Sequence, residues 1–174
     1  MNINGSKNRG MLLETILNQS NFYYLKNNIC LVHKKNLDIK FKSVSKSNNK
    51  ENLVSEGKII SKSTVDYYGL WNGKFLAFEA KSTEDKTFSL NNIKPHQIEY
   101  LDLVTKLDGI AFYIFYFKIQ NEFILIMHKD FIKKIKNKKS LQYEEALEIG
   151  HKLVLIYPGI LDYISVLNNL EKSN

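Results

Sequence analysis

The chain has 174 residues, 44% of them hydrophobic, and a single cysteine, Cys30. This length suits one domain with its own core, and a lone cysteine excludes an internal disulfide and a cysteine-based zinc cluster. The formal net charge of +7 arises in residues 1–62, which hold 11 Lys or Arg residues against 4 Asp or Glu. This imbalance favours a polyanionic partner, of which nucleic acid is the commonest, over an ordinary lysine-rich surface.

The sequence has no stretch typical of a membrane-spanning helix or of a secretory signal peptide. The longest apolar run, residues 109–117, is about half of the roughly 20 residues that a membrane-spanning helix needs. The first ten residues, MNINGSKNRG, are polar and lack the apolar core of a signal peptide. We therefore expect a cytoplasmic protein without a membrane partner.

The first third of the chain predicts a helix, a strand and an insertion. Apolar residues at helical spacing predict a helix over residues 8–27, and ICLVH at 29–33 predicts a short buried strand. From about 36 to 62 the pattern weakens, with one alternating run at 37–42, a polar tip at 45–50 and a returning strand at 57–61. This segment is either a projecting β arm, which we call the stalk, or a disordered loop.

The strongest local signal is a β-hairpin. Extended runs at 63–70 and 74–81 flank Asn72-Gly73, the dipeptide that favours a type I′ turn. We expect Asp66 on the first strand and Glu79 and Lys81 on one face of the second, since side chains two apart on a strand share a face. Bringing Asp66 to the same place requires twist or a bulge, for which Gly69 is the candidate.

The remaining pattern alternates between helices and strands. A helix begins at Pro95, with Ile98, Leu101 and Val104 along one side. Two strands follow at 109–117 and 122–127, and then three helices at 130–137, 141–149 and 161–170, the second of them capped by Ser140. The predicted fold class is α/β with a mixed central sheet flanked by helices.

The hairpin carries the residues that can do chemistry. Two carboxylates beside an ammonium group suit phosphodiester hydrolysis, because Asp and Glu are hard oxygen ligands for Mg²⁺ and a lysine can offset charge that develops on phosphate. A salt-bridged strand pair would show the same residues, so this pattern alone is not specific. Its order, a hairpin followed by a helix carrying His96-Gln97, is similar to that of the PD-(D/E)xK nuclease superfamily.

Eight ordered blocks, spread over nearly the whole chain, together resemble the RecU family of Holliday junction resolvases. They are NRGM at 8–11, YYL at 23–25, HKK at 33–35, STVDY at 63–67, FEAK at 78–81, HQIE at 96–99, DGI at 108–110 and DYIS at 162–165. Two departures concern Val65, where the family often has Thr, and the family's prolines after the HKK block, which are missing here.

The resemblance implies a restriction-endonuclease-like core with a stalk, forming one nuclease domain over residues 1–174. It implies Mg²⁺ as cofactor, catalytic Asp66, Glu79 and Lys81, and Lys81 as transition-state stabiliser. The implied metal ligands are Thr64, Asp66, Glu79 and Gln97. The DNA-binding residues that we expect from the resemblance and from the charge of the stalk are Arg9, Lys34, Lys35, Lys46 and Lys50.

The function implied is resolution of four-way junction DNA by paired nicks, in recombination and repair. The partners implied are a second copy of the chain, because a two-fold dimer presents two identical sites, and other recombination proteins. Two alternatives stay open on the sequence: a related PD-(D/E)xK nuclease of other specificity, and a catalytically inactive junction-binding protein.

Overall fold

A computed structural model describes residues 11–36, 38–46, 52–61 and 64–172. Its helices are α1 (Met11–Lys26), α2 (Pro95–Lys106), α3 (His128–Ile135), α4 (Tyr143–Ile149) and α5 (Tyr163–Lys172), with a 3-10 turn at Leu90–Asn92. Its strands are β1 (Leu31–Lys34), β2 (Asp38–Lys46), β3 (Asn52–Ser61), β4 (Tyr67–Trp71), β5 (Lys74–Thr83), β6 (Thr87–Ser89), β7 (Ile110–Phe117), β8 (Glu122–Met127), β9 (Ser140–Gln142), β10 (His151–Leu153), β11 (Leu155–Ile156) and β12 (Ile160–Leu161). None of the described helices is both long and apolar enough to cross a membrane.

A six-stranded sheet forms the centre of the molecule, in the order β1-β4-β5-β7-β8-β10. Only the β5–β7 pair is parallel, and the chain between them crosses over through α2. The other neighbours in this sheet are antiparallel. The mixed sheet between helical layers confirms the predicted α/β class with a mixed central sheet flanked by helices.

Each face of the sheet is covered by its own helices. On one face, Leu13 and Leu17 of α1 and Leu167 of α5 belong to the cluster that contains Phe78 and Phe112. On the other, residues of α2, α3 and α4 pack against side chains such as Ala77 and Tyr113. Strand β7 is buried along its whole length, which explains its nearly unbroken apolar sequence.

A row of aromatic rings fixes the spacing of the central strands. Tyr67, Phe78 and Phe112 stand on β4, β5 and β7, and neighbouring rings stack with centroids 4.8 and 4.6 Å apart. All three side chains are almost completely buried. Each such burial stabilises the fold by about 1.5–3 kcal/mol, so β5 is held firmly between its neighbours.

Strands β2 and β3 form a separate two-stranded sheet, so the β-arm alternative is confirmed and the described part of this segment is not a disordered loop. Their pairing runs from Asp38 opposite Ser61 to Lys46 opposite Asn52. The polar tip predicted at 45–50 lies mostly outside the described residues.

The predicted helix cap at Ser140 and the predicted bulge at Gly69 were wrong. Ser140 does not cap a helix: it begins β9, and α4 starts at Tyr143, where the Glu145 side chain accepts the Gln142 N–H. No bulge occurs at Gly69, because the β4–β5 register is unbroken. Gly69 is needed for a different reason, since a Cβ there would lie 1.9 Å from the Leu31 carbonyl oxygen on the neighbouring strand.

Candidate active site

The β4–β5 hairpin brings Asp66 to Glu79 through its register. Asn72 and Gly73 have φ angles of 48° and 75°, as the predicted type I′ turn requires. Tyr67 pairs with Phe78, so the next position places Asp66 opposite Glu79, on the same face. Asp66 itself lies in a bend just before β4, not on the strand as predicted. Its N–H donates to Glu79 Oε1 at 3.1 Å.

Glu79 and Asp66 are joined by Lys81 and by the backbone. The Lys81 ammonium donates to Glu79 Oε2 at 2.5 Å and to Asp66 Oδ2 at 3.3 Å. Asp66 Oδ2 also accepts the Ala80 N–H at 3.0 Å. Glu79 is completely buried, whereas Asp66 keeps 35% of its side-chain surface exposed. One carboxylate is therefore the floor of the site and the other lies at its opening.

Burial sets the protonation of this group. Burial raises the pKa of Glu79 to about 8, and the neighbouring Asp66 adds to the rise while the Lys81 ammonium opposes it. For Lys81, burial lowers the pKa, but the two carboxylates outweigh it and the net pKa is raised. Lys81 is therefore a stable cation, and Glu79 is a carboxyl that a further positive charge, in addition to the Lys81 ammonium, would ionise at neutral pH.

Helix α2 brings Gln97 onto Glu79. Gln97 is buried in the first turn, and its Nε2 donates to Glu79 Oε2 at 2.7 Å. Its Oε1 accepts the Lys94 N–H at 2.9 Å and so caps the helix. In this arrangement the amide nitrogen, and not the oxygen that a metal would need, faces the carboxylate. Thr64 is half-buried in the bend two residues before Asp66.

The sequence model of the family described as Recombination protein U matches residues 8–169. The chain belongs to the RecU family. Among curated relatives, "Holliday junction resolvase RecU" of Mycoplasmopsis pulmonis is 41% identical, over 94% of this chain and 98% of the relative. The protein of the same name from Bacillus cytotoxicus is also 41% identical, over 92% of this chain and 84% of the relative.

A solved structure of Hjc, a Holliday junction resolvase from Archaeoglobus fulgidus, aligns with a TM-score of 0.48 and 11% identity, covering 79% of this chain and 94% of that one. The family membership rests on the sequence relatives and not on this distant likeness.

In this RecU family member, a cleft of about 210 Å³ opens beside the carboxylates. Asp66 and Lys81 line it together with Glu14, Lys34 and Lys35. The Lys35 N–H donates to the Asp66 carbonyl oxygen at 2.8 Å, which fixes the HKK block against the site. The structure thus brings Lys34 and Lys35, two of the predicted DNA-binding residues, to Asp66 and Lys81.

For the other three predicted DNA-binding residues, at least the side chain lies outside the described part of the chain. Arg9 and Lys50 lie outside the described residues, as does the side chain of Lys46 at the end of β2. Glu14 was not among the predicted site residues, yet it lines the cleft and forms an ion pair with Lys34. Its position next to the NRGM block was the available signal.

Proposed function

We propose that this RecU family member is a Mg²⁺-dependent endodeoxyribonuclease that resolves Holliday junctions by paired nicks, in recombination and DNA repair. The observation that carries the chemistry is the convergence of Asp66, Glu79 and Lys81 in hydrogen-bonding contact at the edge of a cleft. Its relatives are named as Holliday junction resolvases, which supports four-way junction DNA as the substrate.

The donor set fits a magnesium ion. Mg²⁺ binds through one or two carboxylates and keeps several waters, and the site offers the carboxyl groups of Asp66 and Glu79, with the Gln97 amide beside Glu79. Among the described residues, no three His, Cys, Asp or Glu side chains form a metal-holding group, so a cage of protein ligands alone does not arise there. We assign Asp66 and Glu79 as the principal ligands and Thr64 and Gln97 as neutral ligands. Gln97 would first have to turn its amide by half a rotation.

The residues of the chain divide the remaining work. When bound, Mg²⁺ polarises the phosphodiester and makes a bound water more acidic. Lys81 places a fixed positive charge in a partly enclosed cleft, where it stabilises the extra negative charge of the transition state more than that of the substrate. The buried floor around Glu79 keeps bulk water away from this charge and strengthens its effect.

We assign the DNA contacts beyond the carboxyl groups to basic residues of the cleft and of the stalk. Lys34 and Lys35 line the cleft, where they can neutralise phosphates next to the scissile bond. The stalk adds exposed lysines, including Lys40 and Lys58, which pair across β2 and β3. We assign Arg9, Lys46 and Lys50 to junction contacts as well, since a basic stalk can reach DNA that the cleft does not touch.

Assembly and location complete the proposal. Two nicks at symmetric positions need two sites related by a two-fold axis, so the working form is a homodimer. Its place is the cytoplasm, and its further partners are recombination proteins. The single nuclease domain spans residues 1–174, with the stalk as an insertion at about 36–62.

A cleavage assay tests the proposal. A mobile four-way junction and a duplex of the same sequence are each incubated with the protein in Mg²⁺, Ca²⁺ or EDTA. Paired nicks in the junction with Mg²⁺ alone support the proposal. Equal cleavage of both substrates would mean a nuclease of other specificity, and junction binding without cleavage would mean an inactive junction-binding protein.

A further inference from the structure

A second polar network lies behind the active site and takes no part in the chemistry assigned above. His128, at the start of α3, is 2% exposed. Its Nε2 lies 2.8 Å from Asp102 Oδ1 on α2, and its Nδ1 lies 3.1 Å from the Tyr113 hydroxyl on β7. These three residues, which we call the relay, connect two helices with the central sheet.

The direction of the hydrogen bonds follows from donor chemistry. A carboxylate only accepts, so the proton of a neutral His128 ring is on Nε2 and points to Asp102. Nδ1 is then an acceptor and takes the Tyr113 O–H. Burial raises the pKa of Tyr113, and the carboxylates of Glu79 and Asp102 raise it further, so the hydroxyl keeps its proton and donates. The relay is fully paired.

One end of the relay lies beside the catalytic strand. Tyr113 is the register partner of Glu79 in the parallel β5–β7 pair, and both side chains are completely buried on the face that α2 and α3 cover. The ring of Phe131 on α3 packs on Tyr113 with centroids 4.2 Å apart. Tyr113 therefore has little freedom to move, and its hydroxyl is a fixed anchor point on the sheet.

The other end holds the helix that carries Gln97. Asp102 lies five residues after Gln97, about 7.5 Å farther along the helix axis. Helix α2 is thus attached to polar groups at two points, Gln97 on Glu79 and Asp102 on His128. Apolar contacts from Leu101 and Val104 hold the helix against the sheet, but such contacts are not directional and permit sliding and rotation.

We propose that Asp102, His128 and Tyr113 are positioning residues, which fix the rotation of α2 and thereby hold the Gln97 amide against Glu79. This inference rests on the proposed function, because it gives the relay its effect through the metal-binding carboxyl of that site. With only the Gln97 contact, the helix could pivot about it. The second attachment removes that freedom.

The test is a double-mutant cycle between Asp102 and Gln97. Asp102 is half-exposed, so Asp102→Ala does not leave a buried cavity and the protein should fold. We expect Asp102→Ala to lower the junction cleavage rate at saturating DNA by about 10-fold, since small displacements of a site can cost up to about 100-fold. In the Gln97→Ala background the same change should cost about twofold or less, because the helix no longer carries the contact.

Three control variants separate positioning from other effects. Asp102→Asn keeps an acceptor for His128 Nε2 and should retain most of the activity. Glu99→Ala removes a negative charge from an exposed position of the same helix and should leave the rate unchanged. Tyr113→Phe removes the anchor at the sheet, whereas Tyr116→Phe removes a comparable hydroxyl bond, to Asn121, on the other face of the same strand. Only Tyr113→Phe should lower the rate.

A spectroscopic measurement reads the position of Gln97 without any cleavage. In the metal-free protein, the NMR resonances of the Gln97 side-chain amide should shift in Asp102→Ala and stay unchanged in Glu99→Ala. An unshifted amide in Asp102→Ala, or an equal loss of rate in the wild-type and Gln97→Ala backgrounds, would overturn the relay. If the wild type failed to cleave junctions, the proposed function would fall, while the amide measurement would still decide whether the relay positions Gln97.

Discussion

Two of the antiparallel hairpins that the structure describes, β4–β5 and β2–β3, are close in sequence but opposite in environment. The β4–β5 hairpin lies inside the six-stranded sheet, and Glu79, Ala77 and Phe78 are completely buried. In the stalk, every described side chain from Ile39 to Ser45 is exposed. The same kind of hairpin is therefore a buried, rigid part of the candidate site in one place and a solvent-exposed arm, the stalk, in the other.

We expect this difference to separate the chemistry of cleavage from the recognition of DNA. A buried hairpin can hold a carboxyl whose pKa is far from its usual range, and Glu79 does so. The stalk cannot shift a pKa in this way because its side chains are exposed to water, but both of its faces are accessible to a partner. Ile39, Phe41 and Ile59 form one face, at 42%, 45% and 57% exposure, and Lys40 and Lys58 lie on the other. The first hairpin should govern the rate, and the second should govern the choice of DNA.

Removing the charge at the buried hairpin should have the largest effect. Lys81→Ala should lower the cleavage rate by at least about 100-fold, because the ammonium acts on charge that develops in the reaction. Asp66→Ala and Glu79→Ala should abolish cleavage by removing the two proposed metal ligands. All three should still bind junctions in Ca²⁺, as measured by gel shift. Wild-type rates in Lys81→Ala would remove it from the mechanism.

Shortening the stalk should change the preference for junction over duplex DNA and leave the chemistry of cleavage intact. Replacing residues 43–55 by Asn-Gly joins Lys42 to Glu56, which already form an ion pair at 2.7 Å. We expect this variant to stay folded and to bind metal, because the stalk forms its own sheet. Cleavage of a junction and of a matched duplex, compared at equal concentrations, should lose its preference for the junction. Retained selectivity would place recognition in the cleft of the dimer.

The buried carboxyl should make stability depend on pH in the metal-free protein. The folded-state pKa of Glu79, about 8, is above the ordinary value of 4.5, so the folded state binds the proton more tightly than the unfolded state. The stabilisation from this proton is complete below pH 4.5 and is lost as the pH rises towards 8, at about 1.4 kcal/mol per pH unit.

Glu79→Gln isolates this contribution, since it keeps the shape and lacks the titration. In EDTA, urea unfolding measures the free energy of unfolding at pH 6 and at pH 8. Between these two pH values it should fall by about 1–3 kcal/mol more in the wild type than in Glu79→Gln. Glu56→Gln, an exposed carboxyl of the stalk, is the matched control and should show no such gain. A parallel pH dependence of Glu79→Gln and wild type would mean that Glu79 is ionised throughout.

Removing two charges from the stalk should have the smallest effect. Lys40→Ala with Lys58→Ala deletes an opposed pair of exposed lysines without touching the Lys42–Glu56 ion pair. Junction affinity should fall modestly, and the slope of log affinity against log salt should decrease by about two units if each lysine contacts one phosphate. Binding titrations at several salt concentrations measure this slope. An unchanged slope would show that the face of the stalk with Lys40 and Lys58 does not contact DNA.

Local sequence patterns were sufficient to predict several elements, including the hairpin turn and the helix that carries Gln97. Asn72-Gly73 predicted the turn, Pro95 predicted the start of α2, and EFILIM predicted β8 with both ends correct. The spacing of Glu79 and Lys81 placed both on one face without any tertiary information, because alternation along a strand is a property of the backbone. The eight blocks were sufficient for the family.

What the sequence left open depends on contacts between distant segments. Strands of two or three residues, such as β6, β9 and β11, exist only because a partner lies beside them, and so no local pattern announces them. The same holds for Ser140, where pairing with β6 replaced the predicted helix cap. Asp66, by contrast, lies opposite Glu79 through the local register of the β4–β5 hairpin, without the bulge that we predicted.

Only the tertiary structure decided which polar residues share one environment. Gln97 and Glu79 are 18 residues apart, Glu14 and Lys34 are 20 apart, and Asp102 and His128 are 26 apart, yet each pair is in contact. The sequence supplied the carboxyl of Glu79, but its raised pKa comes from burial under α2 and from the neighbouring Asp66. Residue types and short spacings are set by the local chain, whereas desolvation and long-range hydrogen bonds arise when the sheet and its helices assemble.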